Sequence, residues 1–197
     1  MKVLAITGGI ASGKSNVCRF FEDCGTWVLY ADQLAHQVYT RGSPTYQKIV
    51  QRYGEDIIKE DGALNREKLA KILFNSASEK EWLEKEIHPA TRLLIQKKIR
   101  EAINQSPPLI LVEAALHVET GYYKEFEGLI VVDINPEIQR ERLIKRDGLS
   151  PEEAQTRIET QIPLKEKRKL ADWVVDNSGT LEETKRQVDE LYLELTK

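Results

Sequence analysis

The chain has 197 residues, 41% of them hydrophobic and 31% charged, with a formal net charge of −3. A chain of this size can bury a core without metal or disulfide staples, and its charge balance excludes a surface built to attract nucleic acid. No run approaches the roughly 20 apolar residues of a membrane span and the opening run is too short for a signal peptide, so a cytoplasmic protein with no membrane, nucleic-acid or obligate protein partner is expected.

Residues 2–7 read as a first strand. They lead into Gly8-Gly9-Ile10-Ala11-Ser12-Gly13-Lys14-Ser15, which matches G-x-x-x-x-G-K-[ST] at every fixed position. Val17, Phe20 and Phe21 then continue at helical spacing. The chemistry explains the order. Glycines let successive backbone N–H groups turn inward around an anion, and the helix that opens at Gly13-Lys14 adds the positive end of its dipole. Lys14 then reaches the β- and γ-phosphates, while the Ser15 hydroxyl ligates the Mg²⁺ that bridges them. Cys18 and Cys24, the only cysteines, have neither redox-pair nor zinc spacing, and two buried thiols are expected.

Residues 27–30 form the second strand candidate, and Asp32 follows it. Ligands of doubly wound sheets bind along that carboxyl edge, which makes Asp32 a candidate general base. The same residue is also placed to cap a helix over 33–39. Residues 31–108 contain no convincing strand and read as a string of helices. Pro44 opens one that ends near Gly54, Asn65 caps another from Arg66, and a third starts after Ser78. Pro89 is expected to break that helix or open a new one. Strands follow at 109–113, 129–133 and 173–176. Pro136 and Pro151 each start a charged helix, and Leu181, Val188, Leu191 and Leu195 give the last helix one apolar stripe. Short strands alternating with helices, each strand buried on both faces, imply a five-stranded parallel sheet in a three-layer α/β fold. Trp27, Trp82 and Trp173 are expected to pack in cores or interfaces.

A phosphate loop establishes a nucleotide site, not a reaction. Asp176-Asn177-Ser178-Gly179 fits D-x-x-G, but no Asn-Lys-x-Asp guanine-reading tetrapeptide occurs, so a GTP-dependent switch is the weak alternative. Another small P-loop kinase, such as a nucleoside monophosphate kinase, is the stronger one.

The chain resembles the dephospho-CoA kinases along nearly its whole length. After the loop come Ala31-Asp32 with Ala35 and Val38, Gly42-Ser43-Pro44, Asp61-Gly62-Ala63-Leu64-Asn65-Arg66 with Leu69 and Phe74, then His88-Pro89 with Arg92. Arg146-Asp147, Arg157, Gln161 and Ala171-Asp172 through Asn177 complete the order. The resemblance implies transfer of the terminal phosphoryl group of ATP to the ribose 3′-hydroxyl of dephospho-CoA, giving coenzyme A and ADP in the last step of coenzyme A synthesis. It implies a single P-loop kinase domain over 1–197, with a helical acceptor-binding insertion at 42–106 and a lid at 137–170. Asp32 is then the base, with Lys14 and Arg146 stabilising charge. Gly8, Gly9, Ile10, Ala11, Ser12, Gly13, Lys14, Ser15, Asn16 and Asn177 bind ATP, with Asn177 at the adenine, and Ser15 binds Mg²⁺. Asp32, His88, Arg92 and Leu116 meet the acceptor, and Glu113 is a candidate for holding the metal through water.

Two positions and one segment depart from the family pattern. Ala11 stands where glycine is common and Asn16 where threonine is. Glu113-Ala114-Ala115-Leu116-His117-Val118-Glu119 lacks the usual proline. Arg140, Arg142 and Lys145 are expected on a solvated helix face. Lys165, Lys167 and Arg168 are expected on the surface.

Overall fold

The computed structural model describes residues 1–197. Five strands, β1 (Lys2–Gly8), β2 (Trp27–Tyr30), β3 (Leu109–Glu113), β4 (Leu129–Asp133) and β5 (Trp173–Asp176), form one parallel sheet in the order β2-β3-β1-β4-β5. Ile6 sits opposite Glu113 on one side and Ile130 on the other, so the carboxyl end of β1 lies between those of β3 and β4. Chains that leave a sheet in opposite directions open a crevice at such a point. The phosphate loop starts there.

Nine helices follow in chain order: α1 (Lys14–Asp23), α2 (Ala31–Gln37), α3 (Pro44–Tyr53), α4 (Arg66–Asn75), α5 (Ala77–Ile103), α6 (Pro136–Asp147), α7 (Pro151–Glu159), α8 (Leu164–Arg168) and α9 (Leu181–Leu195). Their starts follow local chemistry. Ser43, Asn65 and Asn135 accept backbone N–H groups of α3, α4 and α6, while Ser150 with Glu153 and Thr180 with Glu183 form reciprocal caps on α7 and α9. Each such cap is worth about 1 kcal/mol.

The chain divides into two compact units, Met1–Tyr30 with Ala102–Lys197, and Ala31–Glu101. In the first, Leu4, Ile6, Leu111 and Val132 of the sheet pack with Val17 and Phe21 of α1 and Val188, Leu191 and Leu195 of α9. Ala5, Leu129 and Val131 face the other way, toward Val118, Phe126, Ile162 and Leu164. Fully burying one such side chain contributes about 1.5–3 kcal/mol, so both faces of the sheet are covered and the fold has three layers. The edges differ from the expectation of strands buried on both faces. Trp27 of β2 is 42% exposed and Val174 of β5 is 39% exposed, because an edge strand has a neighbour on one side only. Trp173 does pack against the core.

The second unit has its own core of Ile49, Ile57, Leu64, Leu69 and Leu83, with Tyr53 and Trp82 packed on it. The Arg52 guanidinium lies 4.4 Å from the Trp82 ring centroid and donates to Glu79 at 2.7 Å. Two expectations need correction here. First, α5 runs unbroken through Pro89. Pro89 is exposed, so the carbonyl that loses its helical partner can turn to water, while Leu83 and Ile95 are buried on either side of it. Second, α2 begins at Ala31, which puts Asp32 in its first turn instead of at its cap. The two thiols also part company. Cys18 is buried and pushed up by desolvation. Cys24 is half-buried and donates to Asp189 at 3.5 Å.

Candidate active site

The loop between β1 and α1 is shaped by tertiary contacts as much as by its glycines. Gly13 precedes α1 with φ 85, and a Cβ there would run into the Asn177 side-chain amide. Only glycine meets both conditions. Ala11 also adopts a left-handed φ of 57, which costs a residue with a Cβ about 1–2 kcal/mol. No side chain caps α1, and no acidic residue lies in its first turn. Its leading N–H groups are therefore open to an anion, with the helix dipole behind them.

Lys14 folds over this loop. Its Nζ donates to Gly9 O at 3.2 Å and lies 3.9 Å from Glu113 Oε1. Glu113 is buried at the end of β3, opposite Ile6 and Tyr30. Ser15 and Asn16 are exposed in the first turn of α1. No group of three or more His, Cys, Asp or Glu side chains is arranged to hold a metal. The available donors, one exposed hydroxyl and one nearby carboxylate, suit a Mg²⁺ that arrives with phosphate oxygens and keeps several waters.

Asn177 is buried, and both ends of its amide are engaged. Nδ2 donates to Ser12 O at 2.8 Å, and Oδ1 accepts from Thr184 Oγ1 at 2.9 Å. The loop is thus tied to the end of β5. Arg142, expected on a solvated face, instead reaches the loop, with Nη1 3.7 Å from where a Gly13 Cβ would stand. Arg146 is exposed and binds Asp147 through Nε and Nη2 at 2.7 and 3.1 Å, and Arg157 reaches the same carboxylate at 3.0 Å. Hydrogen bonding to Arg146 holds Asp147 below the usual carboxylate range and raises Arg146 in turn. Leu116 is 45% exposed.

Lys167 overturns its surface assignment. It is fully buried, with Nζ 2.7 Å from Glu119 Oε1, 3.0 Å from Ala115 O and 3.4 Å from Gly8 O. One carboxylate and two carbonyls offset the cost of burying the ammonium. Lys165 and Arg168 stay exposed. The spacing held a signal, since Lys167 falls three residues after Leu164, on the face of α8 that Leu164 turns toward the core.

His117, nearby, is buried among Tyr122 and Phe126 and donates Nε2–H to Val112 O at 2.9 Å. Its Nδ1 has no partner. Burial holds the imidazole down to about 4; Lys167 pushes the same way, and Val112 and Glu119 oppose. The unfolded ring takes a proton near pH 6.5 and the folded one only near 4. Stability is therefore intact above that window and falls as pH drops through it, by about 1.4 kcal/mol per unit and roughly 3 kcal/mol in all. Urea midpoints of His117→Leu should accordingly fall less steeply than those of the native chain between about pH 7 and about pH 4.5. Parallel curves would remove His117 as a source of acid sensitivity.

In the second unit, His88 and Arg92 stand one turn apart on α5. With Glu81, Glu84, Lys85 and Pro89 they line a cavity of about 410 Å³. Asp32 is exposed at the start of α2.

Comparison with known proteins places the chain in one family. A family model described as dephospho-CoA kinase matches residues 2–183. The chain is 42% identical over 197 residues to the dephospho-CoA kinase of Aquifex aeolicus, covering 100% of this chain and 99% of that protein. It is 40% identical over 189 residues to that of Bacillus licheniformis, covering 96% and 94%. Among solved structures, dephospho-CoA kinase from Campylobacter jejuni superposes with a TM-score of 0.77 at 27% identity, covering 98% of this chain and 96% of that one.

Proposed function

The chain belongs to the dephospho-CoA kinase family, and from that premise we propose how its own residues divide the transfer of the terminal phosphoryl group of ATP to dephospho-CoA. The observation that carries the proposal is the uncapped start of α1, with Lys14 folded back over the loop to within 3.9 Å of Glu113.

The backbone N–H groups of Ala11, Gly13, Lys14 and Ser15 receive the β- and α-phosphates, Gly8, Gly9, Ile10 and Ser12 complete the loop that holds ATP, and Asn16 follows it in the first turn of α1. Lys14 follows the γ-phosphoryl charge as it moves. Asn177 supports the ATP site by holding Ser12. Mg²⁺ would be held by Ser15, by phosphate oxygens and through water by Glu113, and when bound it neutralises charge on the β- and γ-oxygens. Asp32 takes the proton of the ribose 3′-hydroxyl as that oxygen bonds to the γ-phosphorus. The bond from phosphorus to the β–γ bridging oxygen breaks, leaving ADP. Two facts support Asp32 as base: it follows the end of β2 by two residues, and its carboxylate is exposed. Arg146, exposed on the segment 137–170 proposed as the lid, would exchange Asp147 for the transferring group.

His88, Arg92 and Leu116 are assigned to the acceptor, within a proposed insertion at 42–106 for the first two. Arg92 supplies a planar guanidinium suited to a diphosphate. No helix is long and apolar enough to cross a membrane, and we place the reaction in the cytoplasm, with ATP and dephospho-CoA as the binding partners. Measuring ADP release against a panel of acceptors tests the assignment. Arg92→Ala should raise KM for dephospho-CoA about tenfold, the size of one charge-assisted hydrogen bond, and leave KM for ATP unchanged. An equal rise in both constants, or none in the acceptor's, would remove Arg92 from the acceptor site.

A further inference from the structure

Two consecutive peptides of the phosphate loop, on either side of the Ile10 Cα, are each held by a side chain to which neither the loop motif nor the family resemblance gives a task. Ile10 N–H donates to Gln161 Oε1 at 2.8 Å, and Ile10 O accepts from Gln139 Nε2 at 2.7 Å. The polarity is unambiguous, because a backbone N–H only donates and a carbonyl only accepts. Gln139 lies in α6 and is 5% exposed. Gln161 lies between α7 and α8. Gly9 supplies independent support. A Cβ there would stand 2.5 Å from Gln139 Nε2, so glycine at a position the motif leaves open admits this amide.

The geometry has a consequence for phosphate binding. In a trans peptide the C=O and the following N–H point in opposite directions. Holding the Ile10 carbonyl toward Gln139 therefore turns the Ala11 N–H the other way, into the loop. Ala11 carries the left-handed φ of 57, a conformation a residue with a Cβ keeps only where its surroundings impose it. Asn177 holds Ser12 and α1 holds Gly13. A turn closed by Ser12 N–H on Gly9 O at 3.2 Å spans Ile10 and Ala11, and within it Gln139 holds the Ile10–Ala11 peptide while Gln161 holds the Gly9–Ile10 peptide before it.

We propose that Gln139 and Gln161 are positioning residues for phosphoryl transfer, aiming the Ala11 N–H at the nucleotide phosphates and tying the loop's shape to the helical arm that carries Arg146. This rests on the loop being the ATP site. The two glutamines bracket the arm, one near the start of α6 and one after α7, so displacing the arm releases both peptides of Ile10.

The test uses Gln139→Met and Gln161→Met, which keep bulk and remove the bonds, together with the double variant. Each single change should raise KM for ATP about 3–10-fold, the range for one net hydrogen bond, with KM for dephospho-CoA unchanged. The double variant should show much less than the product of the two, because the bonds fix adjoining peptides of the one residue, Ile10, and release of either lets it turn. An unchanged KM for ATP in both single variants, or strictly multiplicative effects, would overturn the proposal. A general loss of packing would raise both Michaelis constants together and would also overturn it. If Gln139→Met does not fold, the half-buried Gln161 carries the test alone through its split between the two constants. Lys14→Ala run alongside separates the two levels: an inactive Lys14 variant beside unaffected glutamine variants leaves the ATP site standing and removes only their role.

Discussion

Lys14→Ala should lower kcat by about 10³-fold or more while the protein stays folded. Removing one preorganised donor from a developing negative charge costs about 10²–10³-fold in systems where a neutral group is lost, and here a full positive charge on the γ-phosphoryl group disappears. The ammonium reaches over the loop to Gly9 O and lies near Glu113, so it acts inside a site that is largely shielded from water. Its loss removes no apolar packing from the α1 face that builds the core, which is made by Val17, Cys18 and Phe21. The melting transition should remain cooperative, with a modest shift from leaving the buried Glu113 carboxylate less compensated. ADP release in a coupled assay, with calorimetry on the same preparation, checks both halves. A kcat within about tenfold of the native value would take Lys14 out of the chemical step.

Asp32→Asn should lower kcat by about 10²–10⁴-fold, the range for a positioned general base, without changing KM for ATP. Asparagine keeps the size and a hydrogen-bonding oxygen of the side chain and loses only the ability to take the 3′-hydroxyl proton. The structural cost is small. Asp32 is exposed in the first turn of α2, where a carboxylate gains about 0.3–1 kcal/mol from the helix dipole, so the melting temperature should barely move. The kinetic pattern distinguishes the roles. A loss confined to KM for dephospho-CoA, with kcat preserved, would make Asp32 a residue that positions the acceptor and would overturn its assignment as base.

Much of this protein was legible as sequence because the deciding interactions are short in range. The four strands 27–30, 109–113, 129–133 and 173–176 stand where expected, and β1 gained only Gly8. The helix starts at Pro44, Arg66, Pro136, Pro151 and Leu181 follow from a cap or proline within a residue of each. The phosphate-loop motif is also local, since its fixed residues all stand within the eight positions from Gly8 to Ser15.

What the tertiary structure decided concerns partners distant in the chain. Lys167 looks like one more charge in Lys165-Glu166-Lys167-Arg168, and only Glu119, Ala115 and Gly8 make its burial affordable. Asn177 reads as a nucleotide contact, and only the fold shows that its amide also ties Ser12 of the loop to Thr184 of α9. Pro89 ought to end a helix by local rules, but its solvent-facing position in α5 removes most of the penalty. Nothing local marks Gln139 and Gln161 as contacts of the loop, and their meaning appears only where Ile10 is brought between them. Backbone propensity and capping act over a few residues and are written in order along the chain. The compensation of the buried Lys167 charge depends on groups as far away as Gly8, and the aim of a single peptide N–H depends on groups more than a hundred residues away, which only the folded sheet brings within 3 Å.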